Sequence, residues 1–161
     1  MQRGRERVKP VGVATMRFEQ AITLAVSPQQ VWDVLADWER YPQWMPDVSW
    51  VRRVGEEEGA GMRLAIRTKV LGIPLVTDEL LITAWDPPKR MAVFHKGLVR
   101  GEAEWRLEAQ DGGTRFTWFE DLRMPPPVLG TLALLLYSPV LRWNFGRSMR
   151  NLSERVSGSI G

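Results

Sequence analysis

The stretch VLGTLALLLYSPVL, residues 128–141, runs into RWNFGRSMRNLSERV, residues 142–156, and how this last third is covered decides the fold. The first part is nearly all apolar. It holds 14 residues, however, against the roughly 20 that a bilayer-crossing helix needs, and Gly130 and Pro139 interrupt it. A spanning helix is therefore disfavoured. What remains is a helix buried against the domain, the lid of an apolar cavity, or a segment lying on a membrane surface. In the second part Leu141, Phe145, Met149, Leu152 and Val156 recur at three- and four-residue spacing opposite Arg142, Arg147 and Arg150, so this piece docks by one face. Ser138-Pro139 reads as much like an N-cap and first helical residue as like a kink, which predicts two helical pieces.

Upstream, the pattern that must supply the cover is mostly of period two. Phe18, Ile22, Leu24 and Val26 share one face of a first strand. Ser27-Pro28-Gln29-Gln30 then has the form of a capping box with proline at the first helical position, and Val31, Leu35 and Trp38 continue at helical spacing. Asp37 is a candidate cap for a second short helix that Pro42 should end. Trp32, Trp38, Tyr41, Trp44 and Trp50 crowd this region, and packing is the default reading. Six further strands follow: 48–54, 62–67, 75–85, 91–96, 100–109 and 114–123, separated by turns at 56–61, Gly72-Ile73-Pro74, 86–89, Gly97 and Asp111-Gly112-Gly113. The alternation is cleanest where Gly101, Ala103, Trp105, Leu107 and Ala109 oppose Glu102, Glu104, Arg106 and Glu108.

Composition sets bounds on this reading. With 161 residues, 44% apolar and 25% charged, the chain suits one globular domain. The absence of cysteine excludes disulfides and thiol chemistry and fits a reducing cytoplasm, and a lone His95 leaves little for a metal site. The net charge of +3 equals the excess within residues 1–15, where Arg3, Arg5, Arg7 and Lys9 face only Glu6. The folded part is thus near neutral, and with no basic and aromatic sheet face it does not suggest a nucleic-acid partner. Residues 1–15 read as a flexible basic arm, or as residues preceding a natural start at Met16; residues 16–158 form the single domain. The arm and the C-terminal arginines are candidate points of transient contact with a membrane surface.

The order strand, two short helices, six strands and long C-terminal helix resembles the helix-grip, START-like (Bet v 1-like, SRPBCC) fold. That is an α+β architecture whose curved seven-stranded antiparallel sheet wraps the last helix. The local sequences AVSPQQVWDVLADWERYPQWMPDV, WDPPKRMAVF, EAEWRLE, GGTRFTWFEDL and RSMRNLSERV resemble the polyketide cyclase/dehydrase and lipid-transport branch of that superfamily, over residues 16–157. The superfamily includes ligand carriers, aromatic cyclases, ubiquinone-binding chaperones and ring-hydroxylating oxygenase domains, so the fold by itself names no reaction.

The resemblance implies an apolar tunnel between sheet and final helix. Strand phase places Leu64, Ile66, Trp105, Phe116 and Trp118 inside it, with Leu132, Leu136, Phe145 and Met149 from the helical segment. Three polar residues break apolar faces: Glu120 is in phase with Trp118 and Leu122, His95 with Val93, and Asp78 with Val76 and Leu80. In a cavity these are candidate acid/base groups for enolisation and dehydration; the alternatives are pairing with arginines or solvated strand ends. No phosphate loop, nucleophile elbow or metal-ligand spacing is present, so no cofactor is expected. Three functions remain open: binding or transport of a hydrophobic small molecule, lipid-like or polycyclic; a cofactor-free polyketide or aromatic cyclase or dehydratase; and a partner-binding domain acting on a ribosomal or membrane complex. Pro139 or Gly146 is a candidate bend that would make 127–137 a gate over the cavity.

Overall fold

The computed structural model describes residues 15–124 and 127–158. Seven strands form one antiparallel sheet: β1 (Thr15–Leu24), β2 (Val48–Val54), β3 (Arg63–Val70), β4 (Ile73–Asp86), β5 (Arg90–Lys96), β6 (Arg100–Gln110) and β7 (Gly113–Arg123). Their order is β1-β7-β6-β5-β4-β3-β2, so β2 to β7 form a meander and β1 closes it beside β7. Between the two edge strands the chain crosses through α1 (Pro28–Leu35) and a 3₁₀ helix (Trp38–Gln43), and α2 (Pro127–Gly158) follows β7. Of the expected arm, residues 1–14 lie outside the described residues and Thr15 already belongs to β1.

Local chemistry sets the two short helices. Ser27 Oγ accepts the Gln30 N–H while Gln30 Oε1 accepts the Ser27 N–H at 3.0 Å, completing the capping box ahead of Pro28. The next segment is 3₁₀ rather than α, and Pro42 lies inside it instead of ending it. Its i→i+3 bonds, Arg40 N–H to the Asp37 carbonyl and Trp44 N–H to the Tyr41 carbonyl, do not need the N–H that Pro42 lacks. Asp37 stands at the N-cap position without a side-chain cap bond.

The packed core fills the end of the molecule where α1 sits. Val31 and Leu35 of α1 share one buried cluster with Leu64, Ile82, Met91, Leu107 and Phe116 of the sheet and Met149, Leu152 and Val156 of α2. Burying side chains of this size contributes about 1.5–3 kcal/mol each. The tryptophan cluster is packing: Trp32 meets Trp85 edge-on at 4.9 Å and Trp44 meets Tyr41 at 5.3 Å. Trp50 stands apart beneath the Arg52 guanidinium. The second half of α2 is tied down by Phe145, stacked on Phe18 at 4.4 Å, and by Asn151, whose amide donates to the Trp44 carbonyl at 3.1 Å.

Two expectations about the chain's course are corrected. First, α2 is one 32-residue helix that runs through Pro139, not two pieces. Pro139 has no N–H to give the Leu135 carbonyl, and the Ser138 hydroxyl takes that place, donating to it at 2.9 Å. Ser138 thus mends the ladder where an N-cap would have ended it. Second, the turn expected at Gly72-Ile73-Pro74 is tighter: Val70 pairs with Ile73, and only Leu71 and Gly72 lie between them. Ile73 and Pro74 belong to β4, where a register shift at Thr68/Lys69 relaxes the pairing opposite the proline. No helix among the described residues is long and apolar enough to cross a membrane.

Gly101 carries the tightest backbone contact between β6 and β7. Its φ is +148°, and a Cβ there would stand 1.9 Å from the Asp121 carbonyl oxygen. Gly112, at φ +79° in the following hairpin, has open space. Gly101→Ala should therefore lower the unfolding free energy by about 3 kcal/mol and Gly112→Ala by about 1 kcal/mol. Urea unfolding of both variants measures the difference, and equal losses would contradict the close approach.

Candidate functional site

Between the concave face of the sheet, the 3₁₀ helix and the first half of α2 lies a cavity of about 480 Å³. Its wall follows from the period-two alternation, which turns Leu64 and Ile66 of β3, Val76, Asp78 and Leu80 of β4, and Val93 and His95 of β5 to one side. Trp105 of β6 and Trp118, Glu120 and Leu122 of β7 join them, with Met91 and Ala103 between. Leu64, Ile66, Trp105, Trp118 and Phe145 are thus on the wall, as are Glu120, His95 and Asp78.

Four other expected wall residues are placed elsewhere. Phe116 and Met149 are fully buried but belong to the packed core and not to the cavity wall. Leu132 and Leu136 point away, 54% and 74% exposed. Because α2 is continuous, its phase is fixed by Phe145, and nine residues back from Phe145 is about two and a half turns, the opposite face. The residues facing the cavity are instead Ala133, Tyr137 and Leu141, at four-residue steps from Phe145.

The polar groups form two stations. At the first, the Trp118 indole N–H donates to Glu120 Oε1 at 2.9 Å, and Asp47 and Lys69 share the wall. Neither Asp47 nor Lys69 is apparent from the sequence pattern. The bulge at Thr68/Lys69 brings both residues to the cavity, and the Lys69 N–H bonds the Asp47 carbonyl at 2.6 Å, fixing that loop against β3. The arginine pairing considered for Glu120 is not found; its hydrogen bond comes from the indole.

At the second station Asp78 accepts the Leu98 N–H at 2.8 Å and so holds the β5–β6 turn. Gly97 makes room for this, since a Cβ there would fall 1.6 Å from Asp78 Oδ1. His95 pairs with Leu80 across β4–β5, one diagonal step from Asp78. The structure does not bring His95 to Glu120. Glu120 pairs with Ala103, Ala103 with Val93, and His95 lies two residues further along β5, which is roughly 12 Å away by strand spacing.

Burial dominates the electrostatics. It pushes the Glu120 carboxyl up to about 8, with the nearby Asp47 charge adding to the rise and the Trp118 N–H opposing it. Burial likewise lowers His95 to about 4 against the pull of Asp78, and raises Asp47 against its own backbone hydrogen bond and Lys69. At neutral pH Glu120 therefore holds its proton and His95 is uncharged. The arrangement presents an O–H donor and a neutral imidazole to an apolar space. Among the described residues no three His, Asp or Glu side chains converge as a metal ion would require.

With this geometry in place, comparison with known proteins is informative. The family model described as polyketide cyclase / dehydrase and lipid transport matches residues 15–157, and the chain belongs to that family. An uncharacterized protein of Mycobacterium tuberculosis is 30% identical over 141 residues, spanning 84% of this chain and 81% of its own. Among solved structures, an aromatase/cyclase from Streptomyces sp. R1128 superposes with a TM-score of 0.74 at 20% identity, covering 92% of this chain and 97% of that one. A START superfamily protein from Mycobacterium smegmatis gives 0.69 at 15% identity, covering 88% and 97%. At such identities the likeness shows the shared helix-grip fold.

The two shifted groups give stability opposite slopes with pH. From about pH 4.5 to about 8 the unfolded chain releases the Glu120 proton while the folded one keeps it, so folding weakens as pH rises, by on the order of 5 kcal/mol in all. Below about 6.5 the unfolded chain instead takes a proton that buried His95 refuses, and stability falls toward pH 4 by on the order of 3 kcal/mol. Glu120→Gln keeps the acceptor for Trp118 and removes only the first slope. In urea titrations its advantage over the wild type should grow steadily from pH 5 to 8; a constant advantage would show that Glu120 ionises normally.

Proposed function

We propose that this member of the polyketide cyclase/dehydrase and lipid transport family binds an uncharged hydrophobic small molecule, lipid-like or polycyclic, between the sheet and α2 and carries it. The observation behind this reading is the cavity itself: about 480 Å³, within the range of small-molecule sites, and walled mostly by aliphatic and aromatic side chains. Burial keeps two of its titratable members, Glu120 and His95, uncharged at neutral pH; Asp47, Lys69 and Asp78 also line it. Specificity comes from the Glu120 carboxyl, which offers a proton to a carbonyl or hydroxyl on the guest. A partner-binding role does not call for such a cavity.

The raised Glu120 carboxyl favours one second reading, a cofactor-free cyclase or dehydratase. Glu120 would protonate a hydroxyl leaving as water, and the carboxylate so formed would take the proton of the adjacent carbon, restoring the acid. His95, roughly 12 Å away by strand spacing, would bind the far end of a guest that spans both stations, and the fold is shared with an aromatase/cyclase.

Mass spectrometry of an organic extract of the purified protein should show a reproducible co-purifying lipid or polycycle. Titration with the uncharged fluorophore N-phenyl-1-naphthylamine should show saturable binding, weakened about tenfold or more when Val76→Trp and Val93→Trp fill the space. Both residues line the cavity and are half-buried, so the thermal midpoint should hold. Empty extracts with no saturable binding would overturn the ligand reading. Glu120→Ala and His95→Ala separate the two roles: a carrier keeps most of its affinity, and a cyclase keeps binding but loses turnover of a polyketide substrate.

A further inference from the structure

The cavity opens at one end of the sheet, where its wall includes the exposed residues Leu98 and Ala133. That end breaks two local rules. The β3–β4 hairpin turns on Leu71-Gly72, both at positive φ, 51° and 84°. Such a position favours Gly or Asn, because a leucine Cβ crowds its own backbone there. Leu71 is nevertheless 75% exposed, so it serves neither the turn nor the core, and Ile73 and Leu75 beside it are exposed as well. The second breach is electrostatic. Arg100 and Arg123, both exposed, face each other directly across β6–β7, where like charges repel; the next pair on that face, Glu102 and Asp121, is acidic, and Asp121 is held by Arg17 at 2.9 Å. Lys96, paired with Glu79 at 3.4 Å, ends β5 beside them, and none of the strand-terminal residues at this end, Thr15, Val48, Val70, Ile73, Lys96, Arg100 and Arg123, is acidic. Exposed Leu132, Leu135 and Leu136 extend the apolar surface along the first half of α2.

We infer that this end docks on an anionic lipid bilayer, with the Leu71–Leu75 hairpin and Leu98 entering the acyl boundary and Lys96, Arg100 and Arg123 meeting the headgroups. Exposed apolar residues ringed by cations are what such a surface binds, and the anionic headgroups relieve the arginine repulsion. A second copy of the chain fits poorly, because two-fold pairing of this face sets the same cations against each other. Docking presses the cavity mouth to the membrane, so a lipid-like guest passes between them without crossing water; only this last step rests on the ligand reading above. The residues of this surface are not the C-terminal arginines.

The test is co-sedimentation of the full chain with vesicles of phosphatidylcholine alone and of phosphatidylcholine mixed with phosphatidylglycerol, at low and high salt. Binding should favour the mixed vesicles and weaken with salt. It should fall about tenfold or more both in Leu71→Ser/Ile73→Ser and in Arg100→Glu/Arg123→Glu. All four positions are exposed, so thermal midpoints and N-phenyl-1-naphthylamine binding without vesicles should stay at wild-type values. No sedimentation with either vesicle would overturn the inference, as would wild-type binding by both variants. A dimer seen by light scattering and dissolved by Leu71→Ser/Ile73→Ser would also overturn it, assigning the face to a second copy. Loss of fluorophore binding in the wild type sinks the ligand reading and leaves the vesicle result standing.

Discussion

A curved sheet with one apolar face must have that face covered, and here a single helix supplies most of the cover. The contact that fixes it is aromatic: Phe145 stacks on Phe18 of the edge strand and meets Trp118 edge-on at 4.7 Å. From that point toward the C-terminus, Met149, Leu152 and Val156 close against the sheet and α1. Toward the N-terminus the helix offers Ala133 and Tyr137, and one is too small to reach the sheet. The cavity is thus the region where the cover stands off, and both polar stations owe their burial to it.

Most of this architecture was legible because strands announce themselves by alternation, and Ser27-Pro28-Gln30 and Asp111-Gly112 encode their cap and turn directly. The course of α2 was not legible at Ser138-Pro139. The same hydroxyl that caps a new helix can also repair an old one, and the choice depends on whether the Leu135 carbonyl needs a donor. Misplacing that break put Leu132 and Leu136 on the wrong face, since a helix's phase is inherited from its far end. Asp47 and Lys69 escaped notice for a related reason: a bulge shifts the strand's phase, and no period reveals where it falls. The separation of Glu120 and His95 is set by strand order and register, neither of which a residue pattern gives alone.

The two buried carboxylates on the wall illustrate how environment assigns roles to identical chemistry. Asp78 receives a backbone N–H and is part of a turn. Glu120 receives one indole N–H in a deeply buried place, beside a second carboxylate. A site that burdens folding in this way contributes nothing to packing that an aliphatic residue would not. Under the proposed function, its value lies in what the protonated acid offers a guest.

Gly97 adds a mechanical consequence. By lacking a side chain it lets Asp78 reach under the β5–β6 turn and grip Leu98 by its backbone, so one carboxylate spans the inner wall and the outer rim. Interior and exterior are therefore geared together. A guest that pushed Asp78 aside would release the turn, and a force on Leu98 from outside would be delivered to the wall.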